Sequence, residues 1–438
     1  MEGLGVRRRG TTRAGCVAVA MPGPSTRPLL VCAIYVLATA CADDSSSSNG
    51  SDPGPRDAAT SEGGPRVADA TEPAGAPAAA RDAQKPTVPP VVRIPTCGEQ
   101  TLGDDAGLAD DCPIAAGRAL VIAEGLASGP TALGTDGLYV YWLEYGTRGQ
   151  NDGVVMRAPI SGGAPERIAS AGGNPEQYGG HVAVSDKSVF WGTVRYASFN
   201  GQDAPSMFSV MRAPKSGGDA VSLADYPEYP PSVTDIIVLG GSVYWVAGVE
   251  TIERVPVDGE AVETLTGRTW LFRIAADQRF LYFTESSAGG DASGLFQGME
   301  VHRVSPHARN VELIYSSNEW GVGDEADVPS IAANGTHVAF TVDRSIRVVS
   351  RDGGEACEIA TVAGRVTSLA MDADHVYWGT YPAGGVVCAP LSGGSVSRVD
   401  ASVGQARGLT VRDGFLYWLD GDFYPTPGQY RVMRASTQ

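Results

Sequence analysis

One short strand motif recurs along most of this chain and leaves few folds open to it. An aliphatic residue is followed by two mostly aromatic ones in Val140-Tyr141-Trp142, Val189-Phe190-Trp191, Val243-Tyr244-Trp245, Leu281-Tyr282-Phe283, Val338-Ala339-Phe340, Val376-Tyr377-Trp378 and Leu416-Tyr417-Trp418. The seven copies are spaced 49, 54, 38, 57, 38 and 40 residues apart. That is a base unit near 40 with insertions, the length of one four-stranded blade. Before each aromatic strand comes a small-apolar strand and a tight turn, as in Val182 to Lys187 or Leu369 to Asp374. After it comes a third strand, such as Val155-Met156-Arg157-Ala158-Pro159 or Val210-Met211-Arg212-Ala213-Pro214. Glycine hairpins at Ser161-Gly162-Gly163, Ser216-Gly217-Gly218 and Ser392-Gly393-Gly394 then lead into a fourth strand, because the turn needs a positive φ.

Strands that are apolar on both faces need a neighbour on each side, and circular closure supplies one for every unit. The expected fold is therefore all-β, a seven-bladed β-propeller; the uneven spacing also admits six or eight blades. The last repeat stops after its third strand, while Arg118 to Ala123 precedes the first repeat like an orphan fourth strand. An N-terminal strand completing the last blade would lock the ring. The 56 Gly and 29 Pro fit many short strands joined by tight turns.

The recurring Tyr-Trp strand, most fully Tyr417-Trp418-Leu419-Asp420, resembles the YWTD class of propeller found in lipoprotein receptors. The layout of residues 118–438 is similar to the TolB-like and YWTD-like propellers of bacterial envelope proteins. No repeat spells the full motif, Thr284-Glu285 being the nearest approach, and the YWTD family has six blades where seven repeats are counted here. The resemblance implies a fold and not a ligand.

The N-terminal region reads as an address. Arg7, Arg8, Arg9, Arg13 and Arg27 precede an uncharged run from Leu29 to Ala40, too short to span a bilayer and suited to a signal-peptide core. Leu37-Ala38-Thr39-Ala40-Cys41 resembles a bacterial lipobox, which implies lipidation of Cys41 as the mature N-terminus; Met21 is an alternative start. Residues 1–40 are thus expected to be a lipoprotein signal peptide. Residues 41–95, rich in Ser, Pro, Ala and Gly, form a disordered tether, because they carry too little apolar surface to offset ordering entropy. Residues 96–117 are a Cys-closed segment ahead of the propeller. The implied location is exported and lipid-anchored to the bacterial envelope, most simply its outer membrane, so the membrane is one partner.

Cys97, Cys112, Cys357 and Cys388 remain after the signal and Cys41 are set aside. Three connectivities are open, and proximity favours Cys97 with Cys112 and Cys357 with Cys388 in an oxidising compartment. The spacing fits no zinc knuckle. A net charge of -17 argues against nucleic acid, whose phosphates need a basic face.

Insertions fall in two kinds of loop, those between second and third strands and those between blades, which open on one face of an antiparallel blade. They are 145–153, 196–206, 226–235, 286–298, 317–328 and 420–429. Variable loops on a rigid scaffold are where binding residues gather. The candidate binding face comprises the aromatics Tyr145, Tyr196, Phe199, Tyr226, Tyr229, Trp320 and Tyr424 with the acids Glu285, Asp324, Asp327 and Asp422. Aromatics stack on sugars or pack on peptides, and acids hydrogen-bond hydroxyls or hold a cation. His181, His302, His307, His337 and His375 lie in no zinc or triad motif, so no metal, cofactor or catalytic residue is assigned. Two function classes follow. One is an envelope-anchored, non-enzymatic binding or scaffold module for a protein or glycan; the alternative is a propeller hydrolase or lyase acting on glycans or peptides.

Overall fold

The computed structural model describes residues 112–114, 119–126, 128–175, 182–199, 202–227, 233–268, 270–286, 298–307, 309–318, 329–362, 364–400, 404–421 and 429–437. The signal segment, Cys41, the tether and Cys97 lie outside the described residues. Every regular element among the described residues is a β-strand, and the strands form seven sheets.

Five sheets have four antiparallel strands in simple meander order. Blade 1 runs Pro130–Thr135, Tyr139–Glu144, Val154–Pro159, Glu166–Ser170. Blade 3 runs Val233–Leu239, Ser242–Ala247, Thr251–Pro256, Glu263–Gly267. Blade 4 runs Leu271–Ala276, Leu281–Ser286, Met299–Val304, Val311–Ser317. Blade 5 runs Ile331–Ala333, His337–Val342, Ser345–Ser350, Cys357–Thr361. Blade 6 runs Arg365–Met371, His375–Tyr381, Val386–Pro390, Ser397–Asp400. In blade 2 the inner strand is split into Asn174–Pro175 and Ala183–Val184, both paired with Ser188–Phe199, followed by Gln202–Pro214 and Val221–Tyr226.

Blade 7 takes Ala406–Arg412, Phe415–Asp420 and Arg431–Ser436 from after blade 6 and Leu120–Glu124 from just before blade 1. The closing strand pairs antiparallel, with Leu120 opposite Arg434 and Glu124 opposite Arg431. It lies within two residues of the position expected from the sequence.

Because successive side chains on a strand point to opposite faces, the two aromatics of each motif enter two different seams. Seven buried clusters result, each joining the last motif residue of one blade to the middle motif residue of the blade before, an aromatic in every blade but the fifth, where it is Ala339. The pairs are Trp191 with Tyr141, Trp245 with Phe190, Phe283 with Tyr244, Phe340 with Tyr282, Trp378 with Ala339 and Trp418 with Tyr377. A row of seven blades would have those six and no more. The seventh cluster joins Trp142 of blade 1 to Tyr417 of blade 7, and the ring is closed. Burying each of these side chains contributes roughly 1.5–3 kcal/mol, spread evenly around the circle.

Two polar devices recur on this frame. In the first turn of blade 1, Asp136 Oδ1 accepts the amides of Leu138 (3.0 Å) and Tyr139 (2.8 Å), and its Oδ2 accepts the Tyr141 hydroxyl (3.0 Å). Asp277 with Tyr282 and Asp372 with Tyr377 repeat this in blades 4 and 6. Burial, reinforced by the carboxylate, pushes all three phenols well above their ordinary range. On the third strands, arginines opposite the first aromatic reach forward to a backbone carbonyl of the next blade. Arg157 donates to Lys215 O, Arg254 to Pro306 O and Arg303 to Arg351 O, each at 2.6 Å.

The same forward direction decides the disulfide pairing. The expected bridges Cys97–Cys112 and Cys357–Cys388 do not form; Cys112 is bonded to Cys388, with Cα atoms 6.2 Å apart. Cys388 stands opposite Tyr377, as Arg157 stands opposite Tyr141, so its side chain also faces the following blade. Cys112 lies eight residues ahead of Leu120, the first residue of the closing strand of that blade. Both sulfurs are buried in the seam between blades 6 and 7, although 276 residues separate them in sequence. Cys357, on the outer strand of blade 5, is disulfide-bonded as well.

Candidate functional site

Connections from second to third strands and from blade to blade emerge on one face. Blades 1 and 2 together build a projecting part of that face. Residues 196–206, expected as a loop, instead continue the sheet: Ser188–Phe199 and Gln202–Pro214 stay paired to Phe199 opposite Gln202, forming a hairpin arm well beyond the blade. The pairing runs through Tyr196-Ala197-Ser198 and Asp203-Ala204-Pro205, although Gln202 to Ser206 are all exposed. Arg195, Ala197, Ser198 and Gln202 to Ser206 are exposed, and Tyr196 is partly buried.

Two asparagines fix the arm and the neighbouring loop as one body. Asn174, wholly buried, donates from Nδ2 to the carbonyls of Tyr145 (2.7 Å) and Thr147 (3.1 Å). Asn151, at φ 56° in the left-handed region that asparagine tolerates, donates to Tyr196 O (3.0 Å) and accepts from Tyr196 N (2.9 Å). Its amide thus substitutes for a neighbouring strand. Gly149 lies so close to the Asp203 side chain that a Cβ there would collide with it. Inside the arm the ladder shifts register beside Tyr196, which pairs with Pro205, and on the opposite edge Pro205 has no amide hydrogen to offer. Both edges of the arm are blunted against strand addition.

The other sequence candidates scatter. Tyr226 does not project: it packs against the seam between blades 2 and 3, accepts from Trp245 Nε1 (2.8 Å) and donates to Glu253. Burial, then Glu253, raises its phenol far above the usual value. The side chain of Phe199 is not described, and Tyr229, Trp320, Asp324, Asp327, Asp422 and Tyr424 lie outside the described residues.

Glu285 falls elsewhere again, in a buried polar cluster that sequence reading missed. It occupies the position two residues beyond the second aromatic, which other blades fill with Glu144, Thr193, Ala247, Val342, Thr380 and Asp420, all buried. In blade 7 the residue directly across the ladder from Asp420 is Arg431, and the two form an ion pair. In blade 4 the residue directly across from Glu285 is Glu300. His302, two residues further on the same strand face, places Nε2 at 2.8 Å from Glu285 Oε1 and 2.9 Å from Glu300 Oε2. Its ring stacks on Phe283, with centroids 5.2 Å apart. Arg268, just beyond the outer strand of blade 3, reaches Glu285 Oε1 at 3.1 Å. The available signal was Glu300-Val301-His302, an acid and an imidazole at strand spacing.

No protein-family model matches this chain, and no curated protein matches it in sequence. Among solved structures it is similar to a Mycobacterium tuberculosis puromycin-hydrolyzing peptidase, at 15% identity and TM-score 0.50 over 71% of this chain and 50% of that one. The chain therefore spans half the length of that peptidase. It is also similar to YCF48 bound to D1 peptide, at 13% identity and TM-score 0.49 over 78% of this chain and 99% of that one. A third is the β-propeller domain of the Trilobed protease from Pyrococcus furiosus, at 11% identity and TM-score 0.48 over 71% and 95%. At these identities the likeness concerns fold alone, and the class is the seven-bladed β-propeller.

Proposed function

We propose that this chain is an envelope-anchored, non-enzymatic binding or scaffold module that engages a protein or glycan ligand on the loop-rich face of its propeller. The observation that carries the reading is the arm of blade 2, held to the 145–153 loop through Asn151 and Asn174. A rigid projection costs little ordering entropy on binding, and with both edges blunted it recognises through side chains rather than through added strands. The lipobox-like Ala38-Thr39-Ala40-Cys41 and the polar tether after it support export and a lipid anchor. The Tyr-Trp repeat supports a YWTD-like or TolB-like origin for the blades.

The test is photo-crosslinking in cells from position 196, in the full chain and in a variant whose residues 197–204 are replaced by an Asn-Gly turn. We expect discrete crosslinked partners from the full chain, their loss in the shortened variant, and an unchanged thermal midpoint. Equal crosslinking from a probe on the opposite face, at Gly163, would refute the assignment of the face. Acylation is checked separately by mass spectrometry of the mature N-terminus, where an unmodified peptide running through Ala40-Cys41-Ala42 would exclude it.

A further inference from the structure

We propose that Glu285, Glu300 and His302 form a binding site for a first-row divalent metal ion, with zinc as its tightest common occupant. The site is independent of the arm and of the reading given to it. One ligand atom from each residue lies within 4.8 Å of the others. A single imidazole Nε2 carries at most one proton, yet it faces two carboxylate oxygens at 2.8 and 2.9 Å. Two glutamates directly opposite across an antiparallel pair repel, and here they meet where Glu285 and His302 are nearly inaccessible to water. A cation between them removes that repulsion.

The donor atoms suit the assignment. An ion placed about 2.1 Å from Nε2 and from each oxygen would see nitrogen–metal–oxygen angles of about 85°, near those of adjacent ligands in an octahedral or five-coordinate shell. Glu285 Oε1 is already held by Arg268, whereas Glu285 Oε2 is buried without a hydrogen-bond partner. The arginine thus orients the carboxylate from outside while a lone pair remains for an ion. One imidazole and two carboxylates favour zinc or manganese over calcium, which selects all-oxygen shells. No other group of three such side chains meets the same distance criterion among the described residues.

The experiment is equilibrium dialysis of the full chain, stripped with EDTA, against zinc chloride and separately manganese chloride at pH 7. Glu300→Gln and His302→Gln are dialysed in parallel. We expect one tightly held zinc per chain, manganese bound more weakly, and affinity lower by about a hundredfold in either variant. Glu300 is partly exposed, so Glu300→Gln keeps the fold and remains informative if His302→Gln does not. Zinc binding of equal affinity and stoichiometry in wild type and Glu300→Gln would overturn the proposal, as would no tight binding in the wild type.

Discussion

Blades 4 and 7 place an acid at the same repeat position and treat it in opposite ways. In blade 7, Asp420 meets Arg431 across the ladder, and the seam it faces is further secured by Trp418, Met433 and the Cys112–Cys388 bond. In blade 4, Glu285 meets Glu300, with His302 between them and Arg268 arriving from the preceding blade. Complementary charge at a buried position supports a joint. Two carboxylates that share one imidazole and one arginine leave room for a bound cation to complete the joint. The repeat therefore supplies one frame whose seams diverge in chemistry while their geometry is kept.

The largest way to break the blade 7 side is to open it. Against a baseline lacking residues 1–111, removal of residues 1–118 deletes the Cys112–Cys388 bond and should cost about 2–4 kcal/mol. Removal of residues 1–125 also takes the closing strand and should remove several kcal/mol more, visible as a lower urea midpoint or a lost cooperative transition. Equal midpoints for the two shorter chains would mean that ring closure contributes nothing.

A single substitution tests the pairing itself. Arg431→Met removes the ion pair of Asp420, which is 2% exposed, and should destabilise the fold by about 1–3 kcal/mol in urea titration. Its mirror image in the other blade is Glu300→Arg, which copies the blade 7 arrangement onto blade 4. Replacing repulsion by attraction should raise stability by about 1 kcal/mol in metal-free buffer. A clear loss of stability from Glu300→Arg would show that blade 4 is already satisfied as it stands.

The smallest effect is a pH dependence. Burial raises the Asp136 carboxyl, but the hydrogen bonds from Lys215 and the turn amides outweigh it and hold it below the ordinary value. A carboxyl depressed in the folded state adds stability above its unfolded pKa of about 3.9, and that stability is lost as pH falls through the folded value. Lys215→Met should therefore lower stability by less than about 1 kcal/mol at neutral pH and flatten its decline below about pH 4. An unchanged acid limb, followed by fluorescence, would remove Lys215 from this account.

Much of the architecture was legible in one dimension. Val-Tyr-Trp strands, the turns before them and the Gly-Gly hairpins after them are local codes, and side-chain alternation alone obliges each aromatic strand to have a neighbour on both sides. The orphan strand near Leu120 and a last repeat of three strands together implied closure. What only the tertiary structure decided lies across strands and across blades. Proximity in sequence suggested Cys357 for Cys388, whereas the repeat position turns that sulfur toward the following blade, where ring closure has brought Cys112. Tyr226 read as a loop aromatic, yet its hydroxyl is spent on Trp245 and Glu253 of the next blade. Glu300 and His302 stand visibly on one strand face, but their meeting with Glu285 depends on the register of blade 4, and Arg268 joins them only because blade 3 packs against it. Strand periodicity is written in neighbouring residues, while register and seam contacts are set by the cooperative packing of the whole ring.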